Sequence, residues 1–219
     1  MKIEYGLDDI QKVAGIVKVI RNGSFLGVIT ENEYQAEQAQ RVLRGNVKWS
    51  VTKDLPEDQP LAEYLKTLPA NSQQVQEANF RANGNTVKAQ YFKPYIMHGS
   101  IGPSCAIAHY REGELQIWSH SQGVYPLREA LPNVVGLPID KIHIKGVPGS
   151  GCYGHNGADD AATDAALLAL AYPGVHIRVQ WSREEEHGWE PLGSAMAIDV
   201  QANLDASGKI AEWYTELWS

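Results

Sequence analysis

A glycine-rich loop between a short strand and an alanine-rich helix constrains this chain more than any other feature. It lies in the stretch KIHIKGVPGSGCYGHNGADDAATDAALLALA, residues 141–171, where five glycines precede a segment without helix breakers. Glycine adopts positive φ angles and lets the backbone approach other groups closely. At a helix start, such a loop also exposes consecutive N–H donors, which together form a favourable site for an anion.

The residues alone leave four roles open for this loop. Residues 149–154 spell GxGxxG, the dinucleotide-binding pattern, but the helix starts late and no acid follows at the ribose-binding distance. Cys152 could act as a nucleophile with His155 or His120 as base, although no recognised signature accompanies it. The glycines could instead permit close packing, or receive an anionic group of a cofactor.

Composition describes a globular chain with few specialised features. The chain has 219 residues, of which 43% are hydrophobic, enough for the core of one or two domains. A net charge of -7 without a dense Lys/Arg run argues against nucleic acid as a partner. Cys105 and Cys152 lack metal-site spacing and are predicted to be free thiols. No signal peptide or transmembrane run is apparent, which leaves the compartment open.

Periodicity and turn residues predict an α+β fold of mixed helices and antiparallel hairpins. Hairpins are expected at Asn22-Gly23, at residues 111–114 and at residues 206–208. Helices are expected at residues 31–45, 61–68, 125–131 and 158–171. Gly45 is expected to end the first helix, and Pro132 to kink or restart the third.

A polar, proline-containing segment divides the chain. It runs from about residue 52 to residue 83 and holds only one short amphipathic helix. We therefore predict two domains, residues 1–83 and residues 84–219.

Several motifs in order resemble the molybdopterin-binding large subunit of the xanthine dehydrogenase and aldehyde oxidoreductase family. They are WSHSQ, GLPIDKIHI, the glycine loop, the alanine helix and VQWSREEE. The resemblance is strongest to the beta subunit of isoquinoline 1-oxidoreductase. It implies that residues 1–83 are the end of a hammerhead-like α/β domain plus a linker, and that residues 84–219 begin a molybdopterin-binding domain. Because family members are several times longer, the chain is expected to be a fragment.

The resemblance also implies a chemistry and its partners. Family members hydroxylate an aldehyde or an N-heterocycle at carbon, with oxygen from water and a molybdopterin cofactor. The chain is expected to be inactive alone and to lack cofactor as purified, since the family's glutamate base lies in a later stretch. Expected partners are the remainder of the large subunit, an iron–sulfur subunit or an electron-accepting cytochrome, and a small-molecule substrate. The alternative is a non-catalytic interaction module of the same fold.

The resemblance assigns five cofactor-binding residues by position. Gln122 matches the glutamine that hydrogen-bonds an oxo ligand of the metal, and Gly151, Cys152, Tyr153 and Gly154 match the loop whose backbone contacts the cofactor. No catalytic residue and no protein metal ligand are assigned. The SREEEH run, residues 182–187, is interpreted as a capped turn that begins a helix.

Overall fold

The computed structural model describes residues 3–5, 10–50, 59–76 and 79–219. The five helices that it places there are α1 (Glu33–Asn46), α2 (Leu61–Thr67), α3 (Val124–Val135), α4 (Ala158–Ala171) and α5 (Arg183–Trp189). The strands are β1 (Ile3–Tyr5), β2 (Ile16–Asn22), β3 (Phe25–Thr30), β4 (Lys48–Trp49), β5 (Thr86–Lys93), β6 (Cys105–Arg111), β7 (Glu114–Ser119), β8 (Ile142–Gly146), β9 (His176–Gln180), β10 (Met196–Leu204) and β11 (Ile210–Trp218).

The chain divides into two compact units that are discontinuous in sequence. The first unit comprises residues 1–54 and 99–191, and the second comprises residues 55–98 and 192–219. The second unit therefore combines the segment around α2 and β5 with the final hairpin. The predicted boundary at residue 83 separates two domains of a larger protein, which is a different division from these two units, and it stays a prediction.

A four-stranded sheet of order β8-β7-β6-β9 forms the centre of the first unit. Its β7–β8 pair is parallel and its other pairs are antiparallel. Helix α4 packs on one face through its alanines, most of which are buried. Small side chains let a helix approach a sheet closely. The β2–β3 hairpin contributes Ile20 and Ile29 to the same core.

The second unit is built on a three-stranded antiparallel sheet of order β11-β10-β5. Helix α2 packs against this sheet, where Leu65 meets Ala195 and Ala197. Strands β10 and β11 form the final hairpin, and their register runs from Ala197 opposite Trp218 to Leu204 opposite Ile210.

The α+β prediction is confirmed, as are the three hairpins and the helix after the glycine loop. Two details of the helices were wrong. Helix α1 runs through Gly45 to Asn46, whose side-chain amide caps the Val42 carbonyl, so glycine is not needed as the terminator. Helix α3 continues through Pro132 to Val135, so the predicted restart is wrong, while the predicted kink stays a prediction.

The remaining expectations concern the polar segment, the two cysteines and the absence of a membrane-spanning run. Residues 51–58 and 77–78 of the predicted polar segment lie outside the described residues. The two cysteines are free thiols, as predicted. None of the described helices has the length and apolar character needed to cross a membrane.

Candidate functional site

Gln122 lies in the short connection between β7 and α3, which serine side chains hold in place. The Ser119 hydroxyl donates to the Ala158 carbonyl at 3.2 Å and accepts from the Ser121 N–H at 3.2 Å. The Ser121 hydroxyl in turn accepts from the Gly123 N–H at 2.9 Å. These bonds fix the connection against the first residue of α4, and therefore place Gln122 beside the glycine loop.

The central part of the glycine loop has a backbone that ordinary residues rarely adopt. Gly151 has φ 97°, Tyr153 has φ 55° and Gly154 has φ 145°. Tyr153 is a non-glycine residue in the left-handed region, where a bulky side chain is strained. Its ring lies where a Cβ on Gly151 would stand, within 2.8–3.0 Å.

The loop keeps donors that the described part of the chain does not use. In the described part of the chain, the backbone N–H groups of Gly151, Cys152, Tyr153 and Gly154 donate to no other backbone group, and Gln122, Gly151, Tyr153 and Gly154 are exposed to solvent. N–H groups without a hydrogen-bond partner in the protein bond to water or to a ligand. The loop thus retains the chemical means to hold an anion.

The two ends of the loop are glycines for a different reason, which is packing. A Cβ on Gly149 would lie 2.5 Å from the His120 side chain, and one on Gly157 would lie 2.2 Å from the Trp181 ring. Near its start the loop is also tied down by Ser150, whose hydroxyl donates to the Gly102 carbonyl at 2.7 Å. Packing therefore explains the glycines at the two ends of the loop, whereas the unusual backbone conformation explains those in its middle.

Asn156 and Glu186 anchor the loop to the start of α4. Buried Asn156 donates to the Gly151 carbonyl at 3.0 Å and accepts from the Ala158 N–H at 3.1 Å. Glu186, which is fully buried, accepts from the Gly157 N–H at 3.3 Å. The same carboxylate accepts from the backbone N–H and the hydroxyl of Ser104.

A cavity of about 290 Å³ opens between the β7–α3 connection and the loop. Its lining comprises Ser121, Gln122, Gly123, Cys152, His155, Asn156 and Asp159. One carboxylate oxygen of Asp159, Oδ1, is buried without a hydrogen-bond partner. The cavity lining therefore offers the exposed Gln122 amide as a donor and the Asp159 carboxylate as an acceptor.

Acidic residues at the start of α4 influence each other. Burial, followed by the negative charge of Asp159, raises the pKa of Asp160, and His155 opposes part of this rise. His155 also lies at the cavity wall. Within the described residues, no group of three or more His, Cys, Asp or Glu side chains could hold a metal ion.

The structure brings together some of the predicted cofactor-binding residues. Gln122 and Cys152 line one cavity, whereas the Tyr153 ring is 62% exposed and folds over Gly151. Sequence reasoning missed Asn156 and Glu186. The SREEEH run was correctly predicted to begin a capped helix, since Ser182 and Glu185 form a capping box. Its third glutamate instead turns inward to the loop.

A family model and a curated relative both match most of this chain. The model of the molybdopterin cofactor-binding domain matches residues 64–219. A nicotinate dehydrogenase subunit from Pseudomonas putida (strain KT2440) is 35% identical over 210 residues, which cover 93% of this chain and 17% of that protein. The chain therefore spans about a sixth of the length of this curated relative.

Solved structures give the same fold. Quinoline 2-oxidoreductase from Pseudomonas putida 86 superposes with a TM-score of 0.70 at 15% identity, over 99% of this chain and 34% of that one. The aldehyde oxidoreductase from Desulfovibrio desulfuricans gives 0.69 at 14% identity, over 98% and 29%.

The residues that the family model matches include the β7–α3 connection, the glycine loop and the cavity between them. The chain belongs to the molybdopterin cofactor-binding domain family. This confirms the family that its motifs resemble, while the closer relation to isoquinoline 1-oxidoreductase stays a prediction.

Proposed function

We propose that this chain forms one wall of the molybdopterin site in a molybdenum hydroxylase that oxidises an N-heterocycle or an aldehyde at carbon. The observation that carries the proposal is that Gln122 and Cys152 of the glycine loop line one cavity. Stabilising an oxygen-rich anionic group requires several donors close to one point. Gln122, Gly151, Tyr153 and Gly154 are exposed, so a bound anionic group would replace the water that these donors otherwise hold.

The residues of the cavity fit such a group by both donor and acceptor chemistry. The Gln122 side-chain amide would donate to an oxo oxygen, and the N–H groups of residues 151–154 would donate to the anionic parts of the cofactor. Asp159, which also lines the cavity, would accept from an N–H group of the pterin ring through a carboxylate oxygen. When bound, the molybdenum cofactor supplies the hydroxylation chemistry, with oxygen taken from water.

The proposed activity needs more polypeptide than this chain provides. A cofactor enclosed on one side makes only part of its contacts, so affinity should be weak until a second wall is present. We propose that the remainder of a large subunit supplies this wall, and that an iron–sulfur subunit or a cytochrome accepts the electrons. The chain alone is then inactive.

Metal and pterin content test the proposal directly. The chain is produced in a host that makes the molybdenum cofactor, alone and together with the remaining part of its large subunit. Molybdenum is measured by elemental analysis, and pterin by the fluorescence of its oxidised form. We expect well under one molybdenum per chain for the chain alone and close to one for the assembled subunit.

Substitutions in the cavity separate a cofactor site from a structural loop. In the assembled subunit, Gln122→Ala is expected to lower the molybdenum content or the activity without changing the unfolding midpoint. The matched control is Gln116→Ala. Gln116 lies on the preceding strand, β7, where it is exposed and does not line the cavity. An assembled protein that binds neither molybdenum nor pterin would instead support the non-catalytic interaction module.

A further inference from the structure

The central sheet of the first unit has a second face that carries an aromatic cleft. Strand residues alternate between faces, so Ala106 and Ala108 point towards α4 while Ile107 points away from it. On this other face, Ile107 pairs across the strands with Trp118 of β7 and Arg178 of β9. The face carries a concavity of its own, distinct in its lining from the cavity at Gln122.

This cleft has a volume of about 460 Å³, within the range of small-molecule sites. It is lined by Cys105, Ala106, Ile107, Trp118, His120, Val147, Pro148 and His176. Three aromatic rings and the ring of a proline are therefore among eight lining residues. Flat rings stack favourably on walls of this composition.

The aromatic rings are held in position by neighbouring groups. The His176 ring stacks on His109 with centroids 4.4 Å apart and an angle of 14° between their planes. The Trp118 ring lies 5.7 Å from the His176 ring, tilted by 43°. His120 accepts a hydrogen bond from the Cys105 N–H through its Nε2 at 3.1 Å. The cleft walls are thus largely preorganised before any ligand arrives.

The lining of the cleft carries no carboxylate, ammonium or guanidinium group. Beside the lining, Arg178 pairs with Glu33 at 3.3 Å, and Lys145 of β8 lies opposite Trp118. Both cations lie outside the lining, and the Arg178–Glu33 pair is solvent-exposed and contributes little. An uncharged ligand avoids the desolvation that a charged one would need here.

We propose that this cleft binds a flat, uncharged aromatic ring system of one or two fused rings, stacked against Trp118. The site is separate from the cavity at Gln122, and it stands whether or not the chain holds molybdopterin. It nevertheless lies next to the glycine loop, because His120 lines the cleft and also packs against Gly149. A ring bound in the cleft would rest beneath the start of that loop.

The experiment uses the six tryptophans of the chain as separate reporters. Each indole N–H gives its own signal in a ¹H–¹⁵N NMR spectrum, and the Trp118 signal is assigned by its loss in Trp118→Leu. Quinoline is titrated at pH 8, where it is neutral. The matched comparison ligands are quinoline-2-carboxylate, which adds a negative charge to the same rings, and cyclohexanol, which is neutral but not flat.

We expect quinoline to shift the Trp118 signal saturably and to leave the signal of Trp213, in the second unit, unchanged. Binding followed by calorimetry should weaken about tenfold in Trp118→Leu, which corresponds to the loss of a favourable stacking contact. The control Trp213→Leu should bind within about twofold of the unmodified chain, well below the tenfold step that marks a lost contact.

Other outcomes overturn the proposal. A Trp118 signal that does not move up to the solubility limit of quinoline removes the site. An equal shift with cyclohexanol makes the cleft a non-selective apolar surface, and tighter binding of quinoline-2-carboxylate contradicts the uncharged ligand class. Equal shifts of Trp118 and Trp213 indicate nonspecific contact of quinoline with exposed indoles.

Discussion

Glu186 and Ser104 are joined by two hydrogen bonds, one from the Ser104 backbone N–H at 2.8 Å and one from its hydroxyl at 3.1 Å. A third bond reaches the same carboxylate from the Gly157 N–H at 3.3 Å. A buried charge is tolerated when hydrogen-bond donors replace its water. Glu186 therefore connects the residue before β6 with the residue before α4, and it holds the end of the glycine loop from behind.

Replacing Glu186 with glutamine should destabilise the chain markedly. The amide keeps one acceptor oxygen but turns an NH₂ group towards backbone donors, so at least one buried N–H loses its partner. We expect a loss of about 1–3 kcal/mol in the free energy of unfolding. Urea unfolding followed by circular dichroism measures it.

Glu184→Gln is the matched control for this substitution. Glu184 lies on the same short helix, but its side chain is 77% exposed and pairs with Arg44 at the surface. Exposed pairs contribute little, so its unfolding midpoint should hardly change. Equal effects of the two substitutions would contradict the anchoring role of Glu186.

The role of Glu186 illustrates what the sequence can and cannot predict. Ser182 followed by acidic residues after a strand is a local pattern, and it correctly predicted a capped helix. The partners of Glu186 are 29 and 82 residues away in the chain, and no local pattern specifies them. Long-range polar contacts of this kind depend on how the elements pack, so they emerge only with the fold.

Gly157→Ala should be destabilising, because the new methyl group would stand 2.2 Å from the Trp181 ring. Trp181 is buried and donates to Asp164 at 3.3 Å, so it cannot move aside without losing that bond. Overpacking of this kind costs about 1–3 kcal/mol. Thermal unfolding should show a lowered midpoint.

The opposite result is expected for Gly45→Ala, which serves as the comparison. Gly45 lies within α1, and a Cβ there meets nothing within 4 Å. Alanine in a helix is favoured over glycine by about 0.5–1 kcal/mol, so this variant should unfold at a higher temperature. If both alanines acted alike, the difference between a packing glycine and a replaceable one would be refuted.

The glycine loop shows the same division between local and long-range information. Its position between a strand and α4 could be predicted, because glycine content and the alanine-rich run are local signals. The different roles of its glycines could not, since the His120 and Trp181 rings that demand Gly149 and Gly157 come from other elements. The place of Gln122 on a cavity shared with Cys152 agrees with the resemblance, and its cofactor contact stays a prediction.

In the second unit, Lys66→Met should reduce stability. The Lys66 ammonium contacts both carboxylate oxygens of Asp199, at 3.0 and 2.9 Å, and lies 4.8 Å from the centre of the Trp218 ring. Methionine retains an apolar chain of similar length but loses both charge interactions. We expect a cost of about 1 kcal/mol, measured by urea unfolding.

Lys88→Met tests whether this effect belongs to the contact or to the loss of a positive charge. Lys88 is exposed on β5 of the same sheet, and its substitution changes the net charge by the same amount. Its effect should be close to zero. Equal losses in the two variants would mean that Lys66 acts through overall charge alone.

Asp164 should make the stability of the chain depend on pH. Burial is the main reason that the pKa of this carboxyl group rises from 3.8 to about 6, and the charges of Asp160 and Glu185 add to the rise. The hydrogen bond from Trp181 opposes it. The folded state therefore holds this proton more tightly than the unfolded state does.

The sign of the effect follows from the two pKa values. Below about pH 4 the group is protonated in both states and costs nothing, whereas above pH 6 it is ionised in both states and the burial of its charge opposes folding. Stability contributed by this group thus falls as the pH rises from about 4 to 6.

Asp164→Asn removes the charge and keeps an oxygen for the Trp181 N–H, so it should be more stable than the unmodified chain at pH 8, by on the order of 2 kcal/mol. At pH 4 the two should be similar. Urea midpoints at both pH values decide the matter, with exposed Asp140→Asn as the control: a difference between Asp164→Asn and the unmodified chain that is the same at pH 4 and pH 8 would exclude Asp164 as the titrating group.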